Sequence, residues 1–411
     1  MTDVLRSSKF AVLCFILLAV FFCTTVTVMA AEEKMEILIG APVPLTGGLA
    51  QNGEEEKWAY EQCMKDVNAQ GGIFVKEFNK KLPLKLAVAD AESDPGKAAA
   101  AAERLVKVNK VDLMLSSFGA EMVMPTCVVA DKEKIYYHTT TCHTPIYRSG
   151  HFKYSTLYFF ELAQASEVPF ELLKSIPEAE RPKNLAIVAE DSRDGRGWTE
   201  GMLEAIKKFP GFSIAAIEAV GVDSKDYNAQ ILKLKSKGID GVMMLAGGGD
   251  CVTFVRQCKE NKFNYKFFMG YKGTFHTDFW DALGKDANYI LGDAFWFDTW
   301  PYPKAKELGD RYEKAFKRRS VTVGAYYALA QTLFKAIEIA GTLDSLKVRE
   351  AVLNTHFKDT VMGDIKYNPA DGVASWTNAT AQWWNGELKP VYPFNLTGGY
   401  KLKLAPPWDK R

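Results

Sequence analysis

From Ile37 onward the chain alternates short apolar runs with amphipathic stretches of about ten to fifteen residues, almost without interruption. Ile37–Val43, Leu84–Ala89, Leu113–Ser116 and Ile135–Thr139 read as strands. Between them Glu54–Gln70, Lys97–Val108 and Glu121–Lys132 read as helices. Asp94-Pro95 supplies an N-cap and a first-turn proline, and Gly71-Gly72 stops the helix before it. A second set follows the polar stretch 143–155. Its strands are Asn184–Ala189, Ile214–Val220, Gly241–Leu245 and Phe267–Met269. Its helices are Ala165–Ser175, Trp198–Phe209, Tyr227–Lys237 and Cys251–Asn261. This spacing predicts an α/β chain with a parallel, doubly wound sheet in each of two lobes, because only crossover helices join parallel neighbours. Ligands of such sheets bind beyond the carboxyl ends of the strands. After Ile290 a strand runs to Phe297, followed by helices Lys304–Lys317, Gly324–Ala340 and Ser345–Leu353. The tryptophan-rich tail then reads as a strand pair plus an extension.

The first thirty residues are of another kind. Arg6 and Lys9 precede the apolar run Phe10–Phe22, and CTTVTVMA ends in the small residues Ala30 and Ala31. A basic start, a short apolar core and a small-residue exit predict a secretory signal peptide over residues 1–30, cleaved after Ala30. Three threonines dilute the run as a membrane anchor. Phe21 and Phe22 stand where a lipid anchor on Cys23 would require small residues. Export takes Arg6, Lys9 and Asp3 away and leaves basic and acidic residues in balance. An even scatter of charge gives no stripe for nucleic acid and no polybasic segment for a membrane surface.

Five cysteines remain beyond the leader: Cys63, Cys127, Cys142, Cys251 and Cys258. An odd number in an exported chain leaves a free thiol, and these read as small buried apolar residues rather than a disulfide scaffold. His138, His143 and His151 lack helical ligand spacing, so no metal site is expected, and His143 is a candidate pocket donor. Gly247-Gly248-Gly249-Asp250 lacks the spacing of a phosphate loop and reads instead as a place for close backbone approach to a ligand, with Gly248 at its centre. Glu190, Asp191 and Asp194 could act as an acid/base cluster or form a solvated loop at a strand end. No Gly-x-Ser-x-Gly elbow is present. Neither a catalytic residue nor a cofactor is expected.

An ordered series of segments carries a family resemblance: PLTGGLAQNG after the first strand, NAQGGI at Asn68–Ile73, DAESDPGKA at Asp90–Ala98, AEDSRDGRGWTEG at Ala189–Gly201, FMGYKGTF at Phe268–Phe275, and KDTVMGDIKYNPADG at Lys358–Gly372. No one piece is specific, but the order over most of the chain resembles the branched-chain amino acid and amide binding proteins that serve bacterial ABC importers. The resemblance implies a type I periplasmic binding protein, whose two lobes are joined by three hinge crossovers near Phe152–Leu157, Gly292–Phe297 and Asp359–Lys366. Lobe 1 would take 36–155 with 295–358, lobe 2 would take 158–291 with 366–395, and 396–411 would extend beyond them. It further implies a periplasmic monomer that delivers a small-molecule ligand to ABC permease subunits. The alternatives are a ligand-sensing receptor domain of a signalling system and, third, an exported enzyme.

Carried over residue by residue, the family's pocket falls on Asn52, in place of an aromatic shelf, and on Gly119, Ala120 and Glu121 at a helix N-terminus that would hold a ligand carboxylate. Thr141, Cys142 and His143 would complete that carboxylate site. Asp194 stands in place of a tyrosine. Lys272 stands where leucine-type binders carry the carboxylate that meets the ligand ammonium. The last departure implies either a second acidic group on the ligand or an internal partner for Lys272 such as Asp194 or Glu121. A polar, carboxylate-bearing ligand (an amino acid, an amide, or an organic or aromatic acid) fits this set.

Overall fold

The computed structural model describes residues 33–411. The expected leader, with Cys23, lies outside them. Two large sheets dominate the described residues. The first is wholly parallel, in the order Val373–Ala374, Ser155–Tyr158, Tyr137–Thr140, Leu113–Leu115, Ile37–Val43, Leu84–Asp90. The second runs Glu387–Tyr392, Ala379–Trp384, Leu291–Ala294, Phe267–Tyr271, Gly241–Leu245, Asn184–Glu190, Ser213–Val220, and is parallel apart from the hairpin at its first edge. The central strands of both are buried along almost their whole length, as crossover helices on both faces require.

Most helices begin earlier than periodicity alone suggests, and this changes where the site residues stand. The first starts at Ala50 and runs to Asn68, so Asn52 sits in its first turn instead of ending a loop. Gly53 allows that early start, because a Cβ there would come within 1.9 Å of the Pro44 carbonyl oxygen. Helix Arg193–Ala205 likewise starts five residues before Trp198, capped by Ser192, whose hydroxyl accepts from the Gly195 N–H at 3.0 Å. The polar stretch 143–155 contains a short helix, Thr144–Arg148.

The third crossing falls later than the resemblance implies. Residues His356–Thr360 and Gly363–Lys366 pair as a hairpin that stays with the first lobe, where Val361, Met362, Ile365 and Tyr367 join its core. The Trp296 indole N–H donates to the Val361 carbonyl at 3.0 Å and pins the hairpin turn. The chain then adds Val373–Ala374 to the first sheet and crosses only over Ser375–Asn378.

His138 is a core residue. Its ring nitrogens meet the Tyr136 hydroxyl, the Thr156 hydroxyl and the Thr332 hydroxyl, each at 2.8 Å, and burial lowers its pKa to about 3. The five cysteines are buried and free. Trp383 packs against Trp280 beneath the second sheet, and the tail pairs with Gln382 through both Lys403 backbone groups.

Candidate functional site

The carboxyl ends of both sheets open on one cleft, and the residues just beyond them form its walls. From the first sheet come Phe118, Gly119, Thr141, His143, Phe159 and Phe160. From the second come Asp194, Leu245, Tyr271, Lys272 and Phe295. The floor is aromatic, with rings from the first two crossings backed by one from the third. Phe159 and Phe160 from the first crossing lie 3.9 Å apart between centroids. Phe295 from the second stands 5.5 Å from Phe159, and Trp376 from the third stands 5.4 Å from it. Trp198 and Tyr271, 4.8 Å apart, close the far wall.

Two wall residues are held in backbone conformations that side-chain-bearing residues seldom adopt. Thr141 has φ 53° and Lys272 has φ 71°. For β-branched Thr141 this is a local cost that surrounding bonds must offset. Its hydroxyl donates to the Ser117 carbonyl at 3.0 Å and accepts from the Gly119 N–H at 3.2 Å, tying the loop after one strand to the loop after the next. Gly119 itself, at φ 85° and ψ 147°, precedes helix Ala120–Glu133 in a region open to glycine alone.

Charge in the cleft is unbalanced. The Lys272 ammonium donates to Glu190 Oε1 at 2.6 Å; the Glu190 side chain is buried and that of Lys272 is 15% exposed. Burial works against that ammonium, but Glu190, Asp194 and Glu121 together raise its pKa above the usual lysine range. Burial drives the Asp194 carboxyl well up, helped by the neighbouring Glu121 charge. Glu121 is also pushed up by burial, yet Lys272 and contacts with Asp194 bring it below the usual range overall. Asp194 is therefore the partner that holds the proton. His143 stands 3.5 Å from Asp194 and is kept neutral, its pKa lowered to about 4 by burial. Asp293, which accepts the Lys272 backbone N–H at 3.3 Å, is raised to about 7 by burial.

The residues expected from sequence divide into three groups. Gly119, Thr141, His143, Asp194 and Lys272 line the aromatic cavity, and Glu121 adjoins Asp194 at its edge. Asn52 and Gly248 line a neighbouring cavity that shares Lys272. Ala120 and Cys142 do not reach either one, since both side chains are buried in the first lobe's core. The partner of Lys272 is Glu190, not Asp194 or Glu121. Of the acidic cluster, Asp191 is exposed and paired with Arg196, whereas Glu190 and Asp194 are buried. The solvated-loop alternative thus holds for Asp191 alone.

Sequence reasoning missed Phe159, Phe160, Phe295, Tyr271, Trp198 and Asp293. The first three follow strand ends at the crossings, and that position was the available signal.

This architecture has close parallels. Residues 36–387 match the family described as Periplasmic binding protein. The chain is 23% identical over 357 residues to the leucine-, isoleucine-, valine-, threonine- and alanine-binding protein of Pseudomonas aeruginosa, covering 86% of this chain and 91% of that protein. A leucine-binding protein from Thermotoga maritima superposes with a TM-score of 0.76 at 16% identity, covering 86% of this chain and 97% of the other. A solute-binding protein of an ABC transporter from Rhodopseudomonas palustris, in complex with 4-hydroxybenzoate, superposes with a TM-score of 0.73 at 17% identity, covering 91% and 99%. The match over most of the chain shows the family: this chain belongs to the periplasmic binding proteins.

Proposed function

We propose that the chain is the substrate-binding component of a bacterial ABC importer, exported to the periplasm as a monomer. It captures a small carboxylate-bearing solute by hinge closure and delivers it to permease subunits. The observation that carries this reading is the cavity itself. It draws residues from the strand ends of both lobes, and aromatic rings from all three crossings form or flank its floor, so lobe movement and ligand contact are coupled. Leucine and 4-hydroxybenzoate, the ligands of the two structural neighbours above, share a carboxylate beside an apolar body. Aromatic walls suit that body. The carboxylate would lie between Gly119 and Thr141 on one side and Lys272 on the other, near the N-terminus of helix Ala120–Glu133.

Thermal-shift screening followed by titration calorimetry against amino acids, amides, dicarboxylates and aromatic acids tests the proposal. A carboxylate-bearing compound should bind, and its amide or ester should bind far more weakly. Binding that ignores the carboxylate, or turnover of any compound, would overturn it. Gly119→Ala places a side chain at φ 85° and should lower affinity for that ligand about 5–150-fold, the equivalent of about 1–3 kcal/mol of backbone strain. Cys142→Ser, whose sulfur is buried in the core against the His143 carbonyl, should change affinity less than about threefold.

A further inference from the structure

Asp194 and Glu121 meet across the cleft from opposite lobes. Glu121 lies in the first turn of helix Ala120–Glu133, which follows a strand of the first sheet. Asp194 lies in the first turn of helix Arg193–Ala205, which follows a strand of the second. The Glu121 carboxylate faces both the side chain and the backbone N–H of Asp194. Asp194 Oδ1 and Glu121 Oε1 are buried, and among the described residues neither has a hydrogen-bond donor. Two ionised carboxylates in such contact repel, and neither has a hydrogen to offer the other. One proton held between them removes the repulsion and satisfies both oxygens with a single O–H···O bond.

The groups around the pair do not take over that role. Lys272 favours an ionised Glu121, but its ammonium is bound to Glu190, which adds further negative charge beside Asp194. His143, 3.5 Å from Asp194 Oδ1, is neutral. Burial keeps the Cys142 thiol un-ionised, and Arg193, on the Asp194 helix, donates to the Ser149 hydroxyl at 3.4 Å. When the lobes part, the two carboxyls separate, each meets water, and neither needs the proton. We propose that closure of the lobes takes up one proton, held between Asp194 and Glu121, so that acid favours the closed form and rising pH opens it. This rests on the hinge-closure reading above and adds what sets the balance between the two forms. An acid whose pKa is higher in the closed form binds a proton on closing. Its contribution is complete below the open value and is lost as pH rises through the closed one. The window therefore starts at the ordinary aspartate value of about 3.9 and extends to the raised value of buried Asp194.

The test is small-angle X-ray scattering of the purified, unliganded protein between pH 5 and 8, with the unfolding midpoint recorded to confirm folded protein. Wild type should be compact at pH 5 and show a larger radius of gyration at pH 8. Asp194→Asn and Glu121→Gln should each stay compact throughout, because an amide is neutral and its N–H donates to the remaining carboxylate as the shared proton does. Relative to Asp194→Asn, the open-to-closed ratio of wild type should rise at least about tenfold between pH 5 and 7, since one proton per closure shifts that ratio by up to about tenfold per pH unit. The comparison with the variants is needed because His276 and Glu55 also face one another across the seam, at 4.0 Å, and His143 is common to all the proteins. A wild-type radius that is constant with pH, or larger at pH 5, overturns the proton coupling. So do variants that expand in step with wild type, which would assign the pH response to His143, His276 or Glu55. Either result leaves capture by hinge closure standing, because that reading is judged by the carboxylate screen.

Discussion

Lys272→Met should destabilise the unliganded protein by about 3–5 kcal/mol, and adding Glu190→Gln should restore most of that loss. Glu190 ends a buried strand and is 3% exposed. Its Oε1 accepts the Lys272 ammonium at 2.6 Å and the Ser192 hydroxyl at 2.8 Å, and Ser192 caps helix Arg193–Ala205. Removing the ammonium leaves a buried carboxylate uncompensated beside Asp194, and breaking a buried pair from one side typically costs that amount. Neutralising the orphan removes the penalty without rebuilding the pair, which is why the double variant should recover. Urea unfolding of wild type, both single variants and the double variant measures the coupling. A loss below about 1 kcal/mol in Lys272→Met, or a double variant no more stable than the single one, would show that the pair is not what holds this edge of the cleft.

The same pair shows how far the sequence could be read. The two-lobed parallel architecture is visible in the alternation of apolar runs and helical stretches, because crossover geometry admits few other arrangements. Site positions are also visible to the extent that they follow strand ends, as Gly119, Thr141 and Lys272 do. Side-chain partners are not visible in this way. Glu190 and Asp191 are adjacent acids, yet strand alternation sends one inward to Lys272 and the other outward to Arg196. The third crossing was misplaced because its neighbours are fixed by long-range contacts. The Trp296 indole and the buried Tyr367 hold the hairpin 356–366 in the first lobe, and no local signal in that segment announces them. Asn52 moved into a helix for a similar reason. The close approach of Gly53 to Pro44 is a tertiary fact, although the glycine hints at it.

Glu55 and Glu56 set the second large expectation, a change in stability with pH. Both lie on the inner face of helix Ala50–Asn68, one turn beyond Asn52, and both are buried. Glu55 accepts from the Tyr312 hydroxyl at 3.1 Å and from the Thr322 hydroxyl, but burial still raises its pKa from 4.5 to about 7. Among the described residues Glu56 has no hydrogen-bond partner on either oxygen, and burial together with the Glu55 charge pushes it well above the usual range. An acid whose pKa is higher folded than unfolded takes up a proton on folding. Its contribution is complete below the unfolded value and is lost as pH rises through the folded one. For Glu55 that window runs from about pH 4.5 to just above 7, and the shift is equivalent to about 3 kcal/mol. The neutral buried histidines His138, His143 and His276 slope the other way, their pKa values lying below the unfolded value, so the wild-type curve alone does not isolate the effect. Comparison with Glu55→Gln does, because the histidines are common to both proteins. Unfolding free energies measured between pH 4.5 and 8 should shift in favour of Glu55→Gln by about 3 kcal/mol, with Glu56→Gln moving in the same direction. Parallel curves for wild type and Glu55→Gln would mean that Glu55 is ionised in the folded protein at every pH in the range, with the Tyr312, Thr322 and Arg318 side chains offsetting its burial in full.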